Sequence, residues 1–258
     1  MFPALAFVFL IPASSFCETQ TKSVLFGFEA SQLPEGSVDP KVVAEASRSG
    51  ENLSQKPFEL RFSQNSEASA SAVSLADGVK ALRMRPGAAA ENPSPAVALG
   101  YIDADLSSHI DDSIPLHLEV KFQRSNGPLS VNFSMSFLRD GAFTLANLGG
   151  ISGFIQPEGT YVSNRTFGTT SKDGLRGPDL PAEQTVTVRC EIKRTPEGLT
   201  MKTSVLVAGE SIFDTSESPS ILAGFTLQEL QRMSMVVSTA PKGLGEEFFD
   251  LISLKVWQ

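Results

Sequence analysis

Three side chains in this sequence are of the type that stacks on a sugar ring: Tyr101, Tyr161 and Trp257. Their rings offer an apolar face to the C–H groups of a pyranose while a polar edge stays wet, which Phe cannot do. The other aromatics are Phe, 18 of them against 2 Tyr and 1 Trp. Phe122, Phe133 and Phe137 stand at the apolar positions of alternating segments, so they are assigned to a core. A flat, many-ringed platform for crystalline polysaccharide is therefore disfavoured, whereas a loop-built site for a soluble or anionic glycan stays open.

Groups that move protons are few. The chain has 2 His, of which His109 lies in an acidic stretch and His117 on the polar side of an alternating segment. No Gly-x-Ser-x-Gly elbow accompanies them, so a nucleophilic serine has no recognisable setting. Cys190 falls in the apolar register of Val186, Val188 and Ile192, where a thiol behaves as a small hydrophobe. Asp103, Asp105, Asp111 and Asp112 form an acidic cluster without the Asp-x-Asp-x-Asp-Gly spacing of an EF-hand, which reads as a solvated loop. Lys80, Arg83 and Arg85 would make a basic patch if they shared one strand face.

The elements that must position these groups have period two. Leu116 to Gln123, Leu129 to Phe137, Thr185 to Lys193 and Leu199 to Val207 alternate apolar and polar residues, the mark of half-buried antiparallel strands. Asn126-Gly127 lies between the first two and implies a hairpin, and Thr195 to Gly198 implies another between the last two. Further strands are expected at Val24 to Glu29, Lys41 to Ala46, Phe58 to Phe62, Gly78 to Met84, Arg232 to Ser238 and Glu247 to Trp257. Ser63 to Ser74, rich in Ser, Ala, Glu and Asn, reads as loop. Thr226 to Arg232 carries a capping box and predicts a turn or two of helix. Many short strands with turns between them make an all-β, two-sheet antiparallel sandwich.

Residues 1–17 contain no charged side chain and include the apolar run Ala4 to Ile11. That run is too short to span a bilayer but suits a signal peptide with a cut after Ser15 or Cys17, which implies a secreted or periplasmic chain with no transmembrane segment. Residues 18–258 then form a single domain, with Cys190 as its one cysteine after the later cut. Across its 258 residues the chain has 41% apolar residues, enough for a core. Its formal net charge of −8 argues against nucleic acid as a partner.

The order of Phe26-Gly-Phe-Glu29, Gly78-x-x-Ala-Leu-Arg-Met84, the long middle strands and Phe248-Phe-Asp-Leu-Ile-Ser-Leu254 resembles the concanavalin A-like (laminin G-like) jelly rolls of secreted bacterial proteins. The resemblance implies two sheets of roughly six or seven strands each. It further implies a structural calcium held by a carboxylate of the first strand and one of the last, here Glu29 and Asp250; no other cofactor is called for. Asp250 is expected on the face of Ile252, Leu254 and Val256. Hydrolases of this fold carry Glu-x-Asp-x-(x)-Glu on one strand; the nearest match, Glu246-x-Phe248-x-Asp250, has Phe at the centre, which departs from the pattern.

These observations leave three readings. The first is a secreted non-catalytic module that binds carbohydrate, a glycan or cell-surface partner, or another extracellular surface. The second is a diverged jelly-roll glycoside hydrolase or polysaccharide lyase. The third is a structural or adhesion domain with no small-molecule ligand.

Overall fold

The computed structural model describes residues 24–46, 58–62, 67–88, 97–105, 115–127, 129–138, 148–156, 159–165, 179–195, 198–214, 220–222, 232–241 and 245–258. The expected leader, the capping-box helix at Thr226 and the acidic positions Asp111 and Asp112 lie outside those residues. Sixteen strands lie among the described residues. They are β1 (Val24–Glu29), β2 (Gly36–Ser37), β3 (Glu59–Phe62), β4 (Ser69–Ser74), β5 (Lys80–Arg85), β6 (Val97–Asp105), β7 (Leu116–Arg124) and β8 (Leu129–Leu138). They continue as β9 (Leu148–Gln156), β10 (Gly159–Arg165), β11 (Val186–Thr195), β12 (Gly198–Val207), β13 (Glu210–Asp214), β14 (Ser220–Leu222), β15 (Arg232–Pro241) and β16 (Phe249–Trp257).

All pairings are antiparallel, and the strands fall into two sheets. The larger, of 10 strands, has the order β13-β12-β11-β7-β16-β5-β4-β2, with β1 also on β16 and β14 on β12; the smaller, of 6, runs β10-β9-β8-β15-β6-β3. One core cluster takes Leu118, Val120, Phe122, Val188 and Leu254 from the first sheet and Leu60, Val97, Leu99 and Val131 from the second. The molecule is therefore the all-β sandwich that the alternation predicts, with a more unequal split of strands than six or seven each. Phe122 and Phe249 meet inside it with ring centroids 4.8 Å apart. Cys190 is completely buried in the same layer, and burial, aided by the nearby Glu191 charge, pushes its thiol well above the ordinary range.

Five local expectations are corrected. Lys41 to Ala46 is not a strand but lies in a short helix, α1 (Pro40–Ala46). Pro40 has the fixed φ that suits a first helical position, and Asp39 Oδ1 accepts a hydrogen bond from the Lys41 N–H at 2.7 Å, so a cap and a helix starter outweigh the strand preference of Val42 and Val43. Part of the supposed loop Ser63 to Ser74 is strand β4, whose Ala70 and Ala72 face the core while Ser69 and Ser71 take the other side. Asp103 and Asp105, expected in a loop, stand at the end of strand β6, where Asp105 pairs with Arg232 of β15. The Asn126-Gly127 turn does not close a hairpin: β7 belongs to the larger sheet and β8 to the smaller. The chain changes sheets there because Ser125 is fastened to the approach of β16; its N–H donates to Phe248 O at 2.9 Å and its Oγ accepts from the Phe248 N–H at 2.8 Å. Gly127, at φ +115°, supplies the left-handed conformation that the corner needs. The Thr195 to Gly198 turn does close a hairpin, with Thr195 opposite Gly198.

The fifth correction concerns β16. It does not keep period two: its register on β7 slips between Leu251 and Ser253. Ile252 is the extra residue of a bulge, and beyond it the strand's inward and outward positions are exchanged. Leu251, Leu254 and Val256 enter the main core, Ile252 joins a small separate cluster with Leu75 and Ala81, and Asp250 lies opposite Gln123 on the polar side rather than on the face of Leu254 and Val256.

Gly27 of β1 lies over Lys255 of β16. A Cβ there would come within 2.5 Å of Leu254 O and 2.7 Å of Lys255 Cβ, so the sheet admits no side chain at this point. Gly27→Ala should destabilise the protein by about 1–3 kcal/mol, the usual cost of overpacking. A urea-unfolding midpoint equal to that of the unsubstituted protein would refute this close-approach account.

Candidate functional site

The polar face of the larger sheet is built from residues that alternate with the core-facing ones. Strand pairing sets them in lateral rows. Lys202, Glu191, His117 and Trp257 form one, and Asp214, Ser204, Arg189, Glu119 and Lys255 the next. Leu206, Thr187, Lys121, Ser253 and Glu29 make up the third, and Gln123, Asp250 and Arg83 the fourth. The rows place opposite charges side by side. Arg189 donates through Nε and Nη2 to Glu119 Oε2 at 3.2 and 2.8 Å, while Lys255 Nζ lies 3.6 Å from the other oxygen of Glu119 and 3.2 Å from Glu29 Oε1. Arg83 clasps Asp250 with two bonds, Nε to Oδ1 at 2.8 Å and Nη2 to Oδ2 at 2.7 Å. The hydrogen bond to Asp250 raises the Arg83 guanidinium above its usual value, against the opposing effect of burial.

The expected metal ligands Glu29 and Asp250 each meet a cation here: Lys255 for the first, Arg83 for the second. Among the described residues no cluster of three or more His, Cys, Asp or Glu side chains is placed to hold a metal ion. In the Glu246-x-Phe248-x-Asp250 segment, Glu246 is exposed and Asp250 buried. Phe248 lies beneath the Arg83 guanidinium, 3.8 Å from carbon to ring centroid, so its ring flanks the cation that holds Asp250. The supposed basic patch divides. Arg83 and Arg85 share the Phe248 side, whereas Lys80, of opposite parity on β5, reaches Leu33 O at 3.2 Å.

The three candidate stacking residues are not brought onto one face. Trp257, in the larger sheet, is 3% exposed; its ring stacks on His117 with centroids 5.0 Å apart, and the Arg189 guanidinium lies 5.4 Å from the ring centre. It forms part of the wall of the polar face and presents no open ring. Tyr101 and Tyr161 are both in the smaller sheet but at positions of opposite parity. Tyr101 pairs with Met235 and stands at the same parity as the buried Val97 and Leu99. Tyr161 pairs with Phe154, and the register continues through Asn132, Ser238 and Ala98 to Arg61, positions that alternate with the buried Val131 and Thr239.

That second set of positions has a composition of its own. The next row is Ser163, Ser152, Ser134, Val236, Gly100 and Glu59, and a third is Arg165, Gly150, Ser136 and Ser234. Serine, asparagine and glycine thus recur across the middle strands, and Tyr161 and Arg165 stand on the outermost one, β10. The alternation of β8 places its phenylalanines, but the serines between them draw no notice in the sequence alone. The signal is Ser130-x-Asn132-x-Ser134-x-Ser136, and only the pairing of β8 with β9 and β15 shows that neighbouring strands repeat it.

No protein-family model and no curated protein sequence matches this chain. Solved structures similar to it in fold include a point mutant of the carbohydrate recognition domain of Emp46p, at 12% identity and a TM-score of 0.46 over 87% of this chain and 98% of that one. The lectin I of Ulex europaeus in complex with the methyl glycoside of α-L-fucose matches at 12% identity and 0.45, over 78% and 96%. The family 7 alginate lyase A1-II′ matches at 11% and 0.43, over 76% and 84%. All are similar as antiparallel jelly-roll sandwiches, and nothing about ligand or reaction follows from likenesses of this size.

Glu191 provides a pH test of the polar face. Burial works to raise its carboxyl, but the hydrogen bond from Lys193 and the charges of Lys193, His117 and Lys202 outweigh it and hold the group below the usual range. A depressed value means that the folded form binds its proton less readily than the unfolded chain. The resulting stabilisation is full above the ordinary carboxylate range, about pH 4.3, and is lost as the pH falls through the lower folded value. Glu191→Gln should therefore reduce the loss of stability on acidification. Thermal melts at neutral pH and in mild acid check this, and equal acid-induced drops in midpoint for both proteins would refute it.

Proposed function

We propose that the protein is a secreted or periplasmic, non-catalytic module that binds carbohydrate on the polar side of its smaller sheet. The observation that carries this reading is the run of Ser, Asn and Gly at consecutive register positions across β10, β9, β8, β15 and β6, with Tyr161 in the same set. Hydroxyl and amide groups both donate and accept, as sugar hydroxyls do, and small residues let a chain of sugars approach the backbone closely. An aromatic ring at the outer strand suits the apolar face of one pyranose.

The larger sheet favours binding over hydrolysis. A retaining or inverting glycosidase needs one carboxyl kept protonated as the acid, beside a second carboxylate. Here Glu119, Glu29 and Asp250 each lie against a cation, and Glu191 is held ionised by its neighbours. The uncharged run at residues 1–17 supports export.

The experiment is calorimetric titration against a panel of soluble oligosaccharides, with reducing ends and unsaturated products assayed in the same samples. The expected result is saturable binding without product, weakened about tenfold by Tyr161→Ala, the size of one lost stacking contact. Release of cleaved sugar, or binding indifferent to Tyr161, would overturn the reading. Export is checked separately: the intact mass of protein recovered outside the cytoplasm should begin after residue 15 or 17, and recovery of an uncleaved cytoplasmic chain would refute it.

A further inference from the structure

The polar face of the larger sheet does more than neutralise its own carboxylates. Lys202 on β12, Arg189 on β11 and Lys121 on β7 lie on a diagonal, each one strand over and one lateral row along from the last. With strands about 4.8 Å apart and residues on one face about 6.7 Å apart, successive steps are about 8 Å. Glu191 and Glu119 form a parallel diagonal beside them. The two lines do not cancel. Glu119 is contacted by Arg189 and Lys255, and Glu191 by Lys193, with the charges of His117 and the facing Lys202 acting on Glu191 from further off. Neither Lys121 nor Lys202 has a carboxylate within ion-pair distance among the described residues, and the bonds from Arg189 to Glu119 use its Nε and Nη2, leaving Nη1. At the register positions of this face Lys202, Lys193, Arg189, Lys121, Lys255, Arg83 and Arg85 outnumber Asp214, Glu191, Glu119, Glu29 and Asp250, a positive surplus on a chain whose net charge is −8.

We infer that this diagonal is a second binding track, distinct from the Ser and Asn face, for an extended glycan bearing repeated acidic groups, sulfate or carboxylate. The occupant follows from charge complementarity. A polymer with anionic groups at intervals meets Lys202, Arg189 and Lys121 in turn, while Thr187 beside Lys121 and Ser204 beside Arg189 lie next to its hydroxyls. The guanidinium at the centre is pre-oriented by its bonds to Glu119, so it loses little freedom when it takes up a ligand oxygen. The chain's overall negative charge disfavours a long polyanion such as duplex DNA, whose footprint extends past the stripe.

The test compares sulfated and carboxylated oligosaccharides with the neutral oligosaccharide of equal length, using the full chain and the variant Lys121→Gln/Lys202→Gln. The expected result is binding of the acidic forms that weakens as salt is raised and falls roughly tenfold in the double variant, while Lys121→Arg/Lys202→Arg retains it. Binding of the neutral sugar should be the same in all three proteins, since it reports the other face. Acidic-glycan binding unchanged in the glutamine variant, no such binding at low salt, or tighter binding to duplex DNA than to the acidic oligosaccharide would each overturn the proposal. An unaltered thermal midpoint in the glutamine variant shows that a loss is due to charge and not to unfolding.

Discussion

The structure depends on how one strand, β16, is shared. One edge of it pairs with β7 along nearly its whole length, while the other pairs first with β5, through Phe249 to Leu251, and then with β1, from Ser253 onward. Two strands cannot occupy the same edge in one register, and the handover falls at Ile252. The bulge there inserts one residue, ends the pairing with β5, and reverses which side chains face the core. Asp250 before it and Ser253, Lys255 and Trp257 after it are thereby set on one polar face, while Leu251, Leu254 and Val256 reach the other side.

The charges on that face are a consequence of the same arrangement. Glu119 and Asp250 are nearly excluded from water, with side chains 8% and 2% exposed. An ionised carboxylate so placed costs several kcal/mol in lost hydration unless a cation and hydrogen bonds replace the water. The lateral rows supply them. Glu119 has Arg189 on one neighbouring strand and Lys255 on the other, and Asp250 has Arg83 on β5. Removing the register slip would carry Lys255 to the core side and leave Glu119 with one cation in place of two. The absence of a side chain at Gly27 belongs to the same construction, since Lys255 passes across it.

Much of the architecture is legible in the sequence because burial writes a period of two. Leu116 to Gln123 and Thr185 to Lys193 can be read strand by strand, and so can the Thr195 to Gly198 hairpin. The pattern misleads where it has two physical outcomes. Asn126-Gly127 favours a tight turn whether the next strand joins the same sheet or the opposite one, and the deciding contact, Ser125 with Phe248, spans more than a hundred residues of sequence. The serines and alanines of β4 resemble a loop in composition, since alanine buries too little area to stand out as core. Phe248-Phe-Asp-Leu-Ile gives no sign of its bulge, so strict alternation sets Asp250 on the wrong side. Aromatic residues can be chosen by type, but type carries no parity: Tyr101, Tyr161 and Trp257 come to rest in three different settings.

The lopsided aromatic composition takes on a structural meaning from these placements. Phe28, Phe58, Phe122 and Phe249 fill the space between the sheets, where a hydroxyl or indole N–H would need a partner. With these rings in the core, the outward positions of the two sheets differ in chemistry. One sheet pairs charges on its polar face, and the other has serine, asparagine and glycine at many register positions of the opposite parity to its buried Val131 and Thr239. A charged face attracts an acidic polymer at a distance and weakens with salt, whereas a hydroxyl face discriminates by close fit and is indifferent to salt. Under the two binding modes proposed above, one glycan is held by charge and another by shape, and ionic strength distinguishes them.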